Sequence, residues 1–223
     1  MIFALSYIRM KTLIKICSYI WPITTKRSTQ YNGLVEVTWY KGKQMLDSHQ
    51  TNYSFGNLHK VMEFAIQKVF SNQQNILLLG LGAGSVPHIL SQSYDYNGRL
   101  TAVEIDPEII RIARQNFNID QYDFLNIVEA DAFDFINETT HKYDLIIVDL
   151  FIDNLVPHRA YENAFLMQLH NNLLPKGQII INAGLDKKQD FYESKFQKLE
   201  AYFDIKYFEK IAKHNQLVIL SMK

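Results

Sequence analysis

A single cysteine, Cys17, leaves this 223-residue chain without an internal disulfide, and no His/Cys cluster shows zinc-finger spacing. Disulfide scaffolds and structural zinc are therefore excluded, no metal site is expected, and a reducing, cytoplasmic setting fits. An excess of charge is missing too. The 23 basic and 23 acidic side chains cancel, so no broad positive field exists for a phosphate backbone and nucleic-acid binding is not expected as the main activity. Nor is there a run of about 18 uninterrupted apolar residues. The first 23 residues come nearest, but Arg9, Lys11 and Lys15 interrupt them, and they lack the leading charges and small-residue cleavage site of a signal peptide. No stable membrane insertion is expected. This stretch reads as an amphipathic helix over residues 12–20 that ends at Trp21-Pro22 and packs on its own domain or on a partner. Met10 offers an alternative start.

What is present describes one ordinary globular domain, with 48% hydrophobic residues and no repeat or low-complexity tract. Residues 1–30 are expected to form the leading helix and a polar linker, since the pattern breaks over residues 26–30. Residues 31–57 read as a small β hairpin unit: residues 34–40 are β-rich, Lys41-Gly42-Lys43 supplies a turn, and residues 44–47 return. From residue 58 the main α/β domain begins with a helix on which Leu58, Val61, Met62, Ala65, Ile66 and Val69 share a face. Five β-branched or leucine-rich runs then alternate with helical stretches, at residues 76–79, 100–104, 125–130, 144–150 and 178–182. That alternation predicts parallel βαβ units in a Rossmann-like fold. Two closing β runs, at 201–208 and 216–222, predict an antiparallel hairpin at the sheet edge.

Three of the nine glycines fall in Gly80-Leu81-Gly82-Ala83-Gly84, directly after the first of those strands. Such a turn leaves backbone N–H groups free at a helix start, where a nucleotide-like ligand binds; a ligand-free tight turn is the competing role. The next strand ends in Glu104, twenty residues after Gly84, where a carboxylate can accept both hydroxyls of a ribose. Asp106-Pro107 fits a helix cap better than a ligand contact. The third strand leads to Asp131, suited to an adenine amine or again to capping, and the fourth leads to Asp149. A dinucleotide fingerprint G-x-G-x-x-G is not met, because the third glycine arrives one residue early, and no phosphate-binding G-x-x-x-x-G-K-[ST] exists. The acids at the strand ends with a terminal hairpin resemble the class I methyltransferase fold, which implies a seven-stranded, mostly parallel sheet and S-adenosylmethionine or a relative as cofactor.

Within that fold the chain is similar to the spermidine synthase family of aminopropyltransferases and their methyltransferase-like relatives. The likeness rests on Leu79-Gly80-Leu81-Gly82-Ala83-Gly84, Ala102-Val103-Glu104-Ile105-Asp106-Pro107, Asp131-Ala132 and Tyr143-Asp144-Leu145-Ile146-Ile147-Val148-Asp149, together with the N-terminal hairpin. Gln44, Tyr53 and His59 stand at the intervals of the family's Gln, Tyr and His. The resemblance implies that Gly80, Gly82, Gly84, Glu104, Ile105, Asp131 and Ala132 hold the cofactor, with Gln44 and His59 at its flank. It implies Asp149 as the acid beside the cofactor that accepts the attacking group's proton, with Tyr53 orienting the acceptor, and a homodimer remains open.

The sequence departs from the family where aminopropyl chemistry is done. Its glycine loop carries Ala83 where the family has an Asp for the cationic aminopropyl arm of decarboxylated S-adenosylmethionine. Ile152 fills the second position of the family's Asp-x-x-Asp-Pro, although Asp153 is adjacent, and His49 and Gln50 replace an acidic pair before the Tyr. A diamine needs carboxylates to offset its desolvation, so these losses favour methyl transfer to a small acceptor. An aminopropyltransferase using decarboxylated S-adenosylmethionine and a non-catalytic scaffold are the competing readings. Phe151 and Tyr161 are candidate pocket walls, and His158 a candidate acceptor contact.

Overall fold

A computed structural model describes residues 2–48, 51–52, 57–152, 155–184, 189–212 and 215–223. The chain opens with helix α1 (Ile2–Cys17), then forms strands β1 (Ile23–Ser28), β2 (Leu34–Tyr40), β3 (Lys43–Ser48) and β4 (Thr51–Asn52). These four make an antiparallel sheet in sequence order. The expected hairpin is therefore the centre of a larger unit, and the expected polar linker is largely strand β1. Its residues are almost all exposed, which explains why apolar patterning is silent there. What holds β1 is the ladder to β2, a Thr24–Thr38 hydroxyl contact of 2.9 Å and a Lys26–Glu36 ion pair of 3.0 Å. The leading helix starts before the expected residues 12–20 and ends at Cys17, and a turn over residues 18–20 carries the chain to Pro22, directly before β1.

Helix α2 (Asn57–Val69) leads into β5 (Asn75–Leu79), α3 (Ser85–Tyr94), β6 (Arg99–Glu104), α4 (Pro107–Phe117), β7 (Leu125–Glu129), α5 (Ala132–Glu138) and β8 (Tyr143–Val148). Then come α6 (Asn163–Asn171), β9 (Leu173–Gly184), α7 (Gln189–Phe196), β10 (Phe203–Ile211) and β11 (Asn215–Met222). The seven strands order as β10-β11-β9-β8-β5-β6-β7, with β5 to β9 parallel and β11 antiparallel to both its neighbours. This is the expected methyltransferase fold, with β11 inserted beside β9 and β10 at the edge.

The central strands lack apolar alternation because both faces are covered. On β5, Leu77 and Leu79 point into a cluster with Phe133, Phe165 and Phe196, while Ile76 and Leu78 point into one with Met62, Ile66 and Leu90. A third, smaller cluster joins the two sheets: Val35, Val37 and Leu46 pack against Ala83, Ile109 and Ile112. That seam sets the N-terminal sheet beside the glycine turn.

Candidate functional site

The strand ends define the site. In register, Leu79 faces both Val103 and Val148, and Glu104 faces Glu129, so β5, β6, β7 and β8 finish nearly level. Backbone bonds continue the ladders past the ends: Asp149 N–H to the Leu79 carbonyl at 2.8 Å, Gly80 N–H to Val103 at 2.9 Å and Ala130 N–H to Glu104 at 3.1 Å. Above this edge lies a cavity of about 220 Å³. Its wall contains Gly80, Gly82, Glu104, Ile105, Asp131, Ala132 and Asp149, seven of the residues singled out from the sequence. Gly80 has φ +96°, and a Cβ there would stand 2.2 Å from the Asp149 carbonyl oxygen. The glycine thus lets β5 and β8 close up at the edge where Asp149 emerges.

Glu104 is buried, which pushes its carboxyl up, while hydrogen bonds act the other way. One oxygen accepts from the N–H groups of Leu81 (3.1 Å) and Gly82 (3.2 Å), and the other from Asp106 N–H at 3.1 Å. The carboxylate therefore braces the glycine turn from below. Asp106 caps α4 by accepting from Glu108 N–H at 3.0 Å, as its place before Pro107 predicted. Its second oxygen accepts from Tyr31 N–H at 3.1 Å and from the Asn32 amide at 3.3 Å. This latch on the fully buried Asp106 brings the β1–β2 turn over the site, where Tyr31 and Asn32 line the cavity. Asp131 caps α5 through Phe133 N–H at 2.7 Å, so the capping role is present and one oxygen remains 3.9 Å from Arg159.

Asp149 faces the cavity from an otherwise enclosed position. Burial raises its pKa from 3.8 to about 6, against the opposing pull of a 2.9 Å hydrogen bond donated by the Asn182 amide. Asn182 is itself buried on β9, and its oxygen accepts from Gly184 N–H at 3.3 Å. Beyond Asp149 the wall is apolar, built from Leu150, Phe151, Ile152 and Pro157. Arg159 closes it with its guanidinium 4.3 Å from the centre of the Phe133 ring.

Other candidates stand outside this lining. Gln44, with its amide oxygen turned toward Trp39, accepts from Trp39 Nε1 and from the Asn116 amide at 3.1 Å each, at the far end of α4. His59 lies 5.8 Å from His88, and burial lowers the pKa of both; from α2, Leu58 reaches the cavity instead. Gly84 opens α3 at φ +88°, where a Cβ would meet Ile119 at 2.6 Å. Its glycine serves packing of the turn. Tyr161 is buried and donates to the Ala183 carbonyl at 2.9 Å, while His158 is exposed beside Glu162 at 3.6 Å. Tyr53, His49, Gln50 and Asp153 lie outside the described residues. Tyr31, Asn32, Phe133, Arg159 and Asn182 were not singled out from the sequence. Only Asn182 carries a legible signal, a polar residue directly after the apolar run Ile179-Ile180-Ile181. Among the described residues no His/Cys/Asp/Glu group could hold a metal.

Comparison with known proteins agrees with this architecture. Residues 57–216 match the family described as spermine/spermidine synthase domain. A polyamine aminopropyltransferase of Vibrio vulnificus (strain CMCP6) is 30% identical over 153 residues, which cover 67% of this chain and 50% of that protein. The chain thus spans about half the length of this relative. The crystal structure of a probable spermidine synthase from Corynebacterium glutamicum ATCC 13032 superposes with a TM-score of 0.68 at 18% identity, covering 89% of this chain and 80% of that one. Human methyltransferase-like protein 13 in complex with SAH gives 0.61 at 24% identity, covering 76% and 83%.

Proposed function

Since the chain belongs to the spermine/spermidine synthase domain family, we propose that it is a transferase that binds intact S-adenosylmethionine in the strand-end cavity and passes its methyl group to a small acceptor. The observation that carries methyl over aminopropyl transfer is Ala83. Where the family keeps an Asp for the cationic aminopropyl arm, this chain has a side chain only 1% exposed, enclosed by Val35, Val37, Leu46, Ile109 and Ile112. No carboxylate from that position enters the cavity, and the described carboxylates that line it, Glu104, Asp131 and Asp149, all stand at strand ends. The α-carboxylate of intact S-adenosylmethionine would be repelled by an acid in the loop and is tolerated without one.

In this reading Glu104 takes the ribose hydroxyls, the spare oxygen of Asp131 takes the adenine amine, and Ile105 and Ala132 bracket the base. Methyl transfer needs nucleophile and sulfonium in line within a dry pocket. The acceptor's lone pair forms the new bond to the methyl carbon, the carbon–sulfur pair withdraws onto sulfur, and S-adenosylhomocysteine leaves neutral at sulfur. The acceptor's proton goes to Asp149, whose pKa near 6 suits a base at neutral pH. Asn182 fixes the carboxylate through one oxygen, and Phe151 and Leu150 keep water from the transfer path.

Calorimetric titration with S-adenosylmethionine, S-adenosylhomocysteine and decarboxylated S-adenosylmethionine tests the proposal. Tight binding of the first two and weak binding of the third is expected. The opposite order overturns it in favour of aminopropyl transfer, the activity named for the Vibrio relative.

A further inference from the structure

On the methyl-transfer reading above, the acceptor's half of the strand-end cavity has a chemistry of its own. Glu104 and Asp131 serve the nucleoside, and Arg159, the only cation among the described residues that line the cavity, sits at that same end, 3.9 Å from Asp131 and over the Phe133 ring. What remains for the acceptor is one acid and an apolar wall. One oxygen of Asp149 accepts from the Asn182 amide, and the other makes no hydrogen bond among the described residues. The wall continues onto the surface. Ile152, 51% exposed, is tied to Leu155, 54% exposed, by two backbone hydrogen bonds of 3.0 and 3.1 Å, and Tyr31, 40% exposed, lines the same cavity from the β1–β2 turn. Large apolar and aromatic side chains left in water at the mouth of a cavity mark a surface that a ligand covers.

Charge balance selects the acceptor class. The cofactor brings a sulfonium, and ionised Asp149 is the acid left to oppose it. A neutral hydroxyl acceptor lets both charges vanish: its oxygen lone pair forms the bond to the methyl carbon, the carbon–sulfur pair withdraws onto sulfur, and its proton passes to Asp149. That cancellation is favourable in a pocket too apolar to solvate ions. A carboxylate acceptor has no proton to give and would lie beside Asp149 as a like charge. An ammonium would need a second carboxylate to offset its desolvation, and no described residue supplies one at this end of the cavity. Among hydroxyls, a phenol, with its pKa of about 10, yields its proton to a carboxylate far more readily than an aliphatic alcohol does. Its flat ring also suits a wall that contains Phe151, Ile152 and Tyr31. We propose that the acceptor is a neutral phenol, its ring against Phe151, Ile152 and Tyr31 and its hydroxyl directed to the unbonded oxygen of Asp149.

The test is calorimetry on the full chain saturated with S-adenosylhomocysteine, with p-cresol, p-toluate, cyclohexanol and putrescine as probes. The phenol should bind about tenfold or more tightly than each of the others. With S-adenosylmethionine supplied, p-cresol should be converted to its methyl ether, read by mass spectrometry. Ile152→Asp, at a side chain outside the core, should weaken p-cresol by about tenfold while the melting temperature and the affinity for S-adenosylhomocysteine stay unchanged. Putrescine bound in preference to p-cresol overturns the proposal and returns the acceptor to the diamines. S-adenosylhomocysteine bound with no preference among the probes, or p-cresol bound but never methylated, overturns it as well and leaves the cofactor reading standing. A chain that does not bind S-adenosylhomocysteine at all overturns that cofactor reading first, so the two failures are told apart.

Discussion

Asp149 carries opposite demands from stability and chemistry. Its folded pKa of about 6 lies above the ordinary 3.8, so between those values the folded chain holds a proton that the unfolded chain has released. Stability linked to this site is therefore fully present below pH 3.8 and is lost as pH rises through 6. Asp149→Asn removes the buried charge while keeping an oxygen for the Asn182 amide. It should raise stability at pH 8 by about 1–3 kcal/mol, with the gain vanishing near pH 4, as thermal melts across pH would record. The same variant should leave cofactor affinity nearly unchanged in calorimetry and lower turnover by about 10²–10⁴-fold. In the unaltered protein the rate should rise with pH to a half-maximum near 6 and then level. Glu104→Gln is expected to act on binding. An amide offers donors where three backbone N–H groups and two ribose hydroxyls seek acceptors, so affinity should fall by about 10–100-fold, the cost of charged hydrogen bonds lost. An unaltered dissociation constant would remove the ribose role from Glu104.

The β1–β2 turn shows how an element reaches a site that its own sequence does not announce. Tyr31 and Asn32 precede the β-rich run, and nothing in their spacing points to a ligand; they line the cavity because Asp106, 74 positions beyond Asn32, accepts from both. The cap at Asp106 was legible because Asp followed by Pro opens a helix by local chemistry. Its second oxygen was not, since tertiary contact alone gives that atom its partners. Asp106→Ala removes the cap and the latch together and leaves the Asn32 amide without this acceptor. A loss of about 2–4 kcal/mol in denaturant unfolding is expected. Cofactor binding should weaken several-fold as the turn lifts from the cavity. Asp106→Asn, which retains one acceptor oxygen, should recover part of both. Equal melting of Asp106→Ala and the unaltered chain would show that the turn holds itself in place.

At the scale of the whole molecule, legibility follows which forces are local. Glycine at a crowded strand end, acids at successive strand ends and unbroken apolar strands leave direct marks, so the seven-stranded sheet and seven wall residues of the cavity could be read from the chain. The extent of the N-terminal sheet and the place of Arg159 depend on what packs against them. Ala83 stands between these cases. Its absent carboxylate is visible in the sequence, but its environment is not: the side chain sits in the seam where Val35, Val37 and Leu46 of the small sheet meet Ile109 and Ile112 of α4. Restoring the family's acid there is therefore more than a change of cavity charge. In Ala83→Asp the carboxylate must either remain in the apolar seam or push the N-terminal sheet away. Both routes are costly, by about 3 kcal/mol or more for an unpaired buried charge. The melting temperature should fall by about 6–12 °C, and the Tyr31 and Asn32 wall should loosen with it. Binding of intact and decarboxylated cofactor should weaken together. A variant that melts as the unaltered chain does and gains affinity only for the decarboxylated form would mean that the seam admits the acid to the cavity, and that Ala83 alone separates this protein from the aminopropyl chemistry of its relatives.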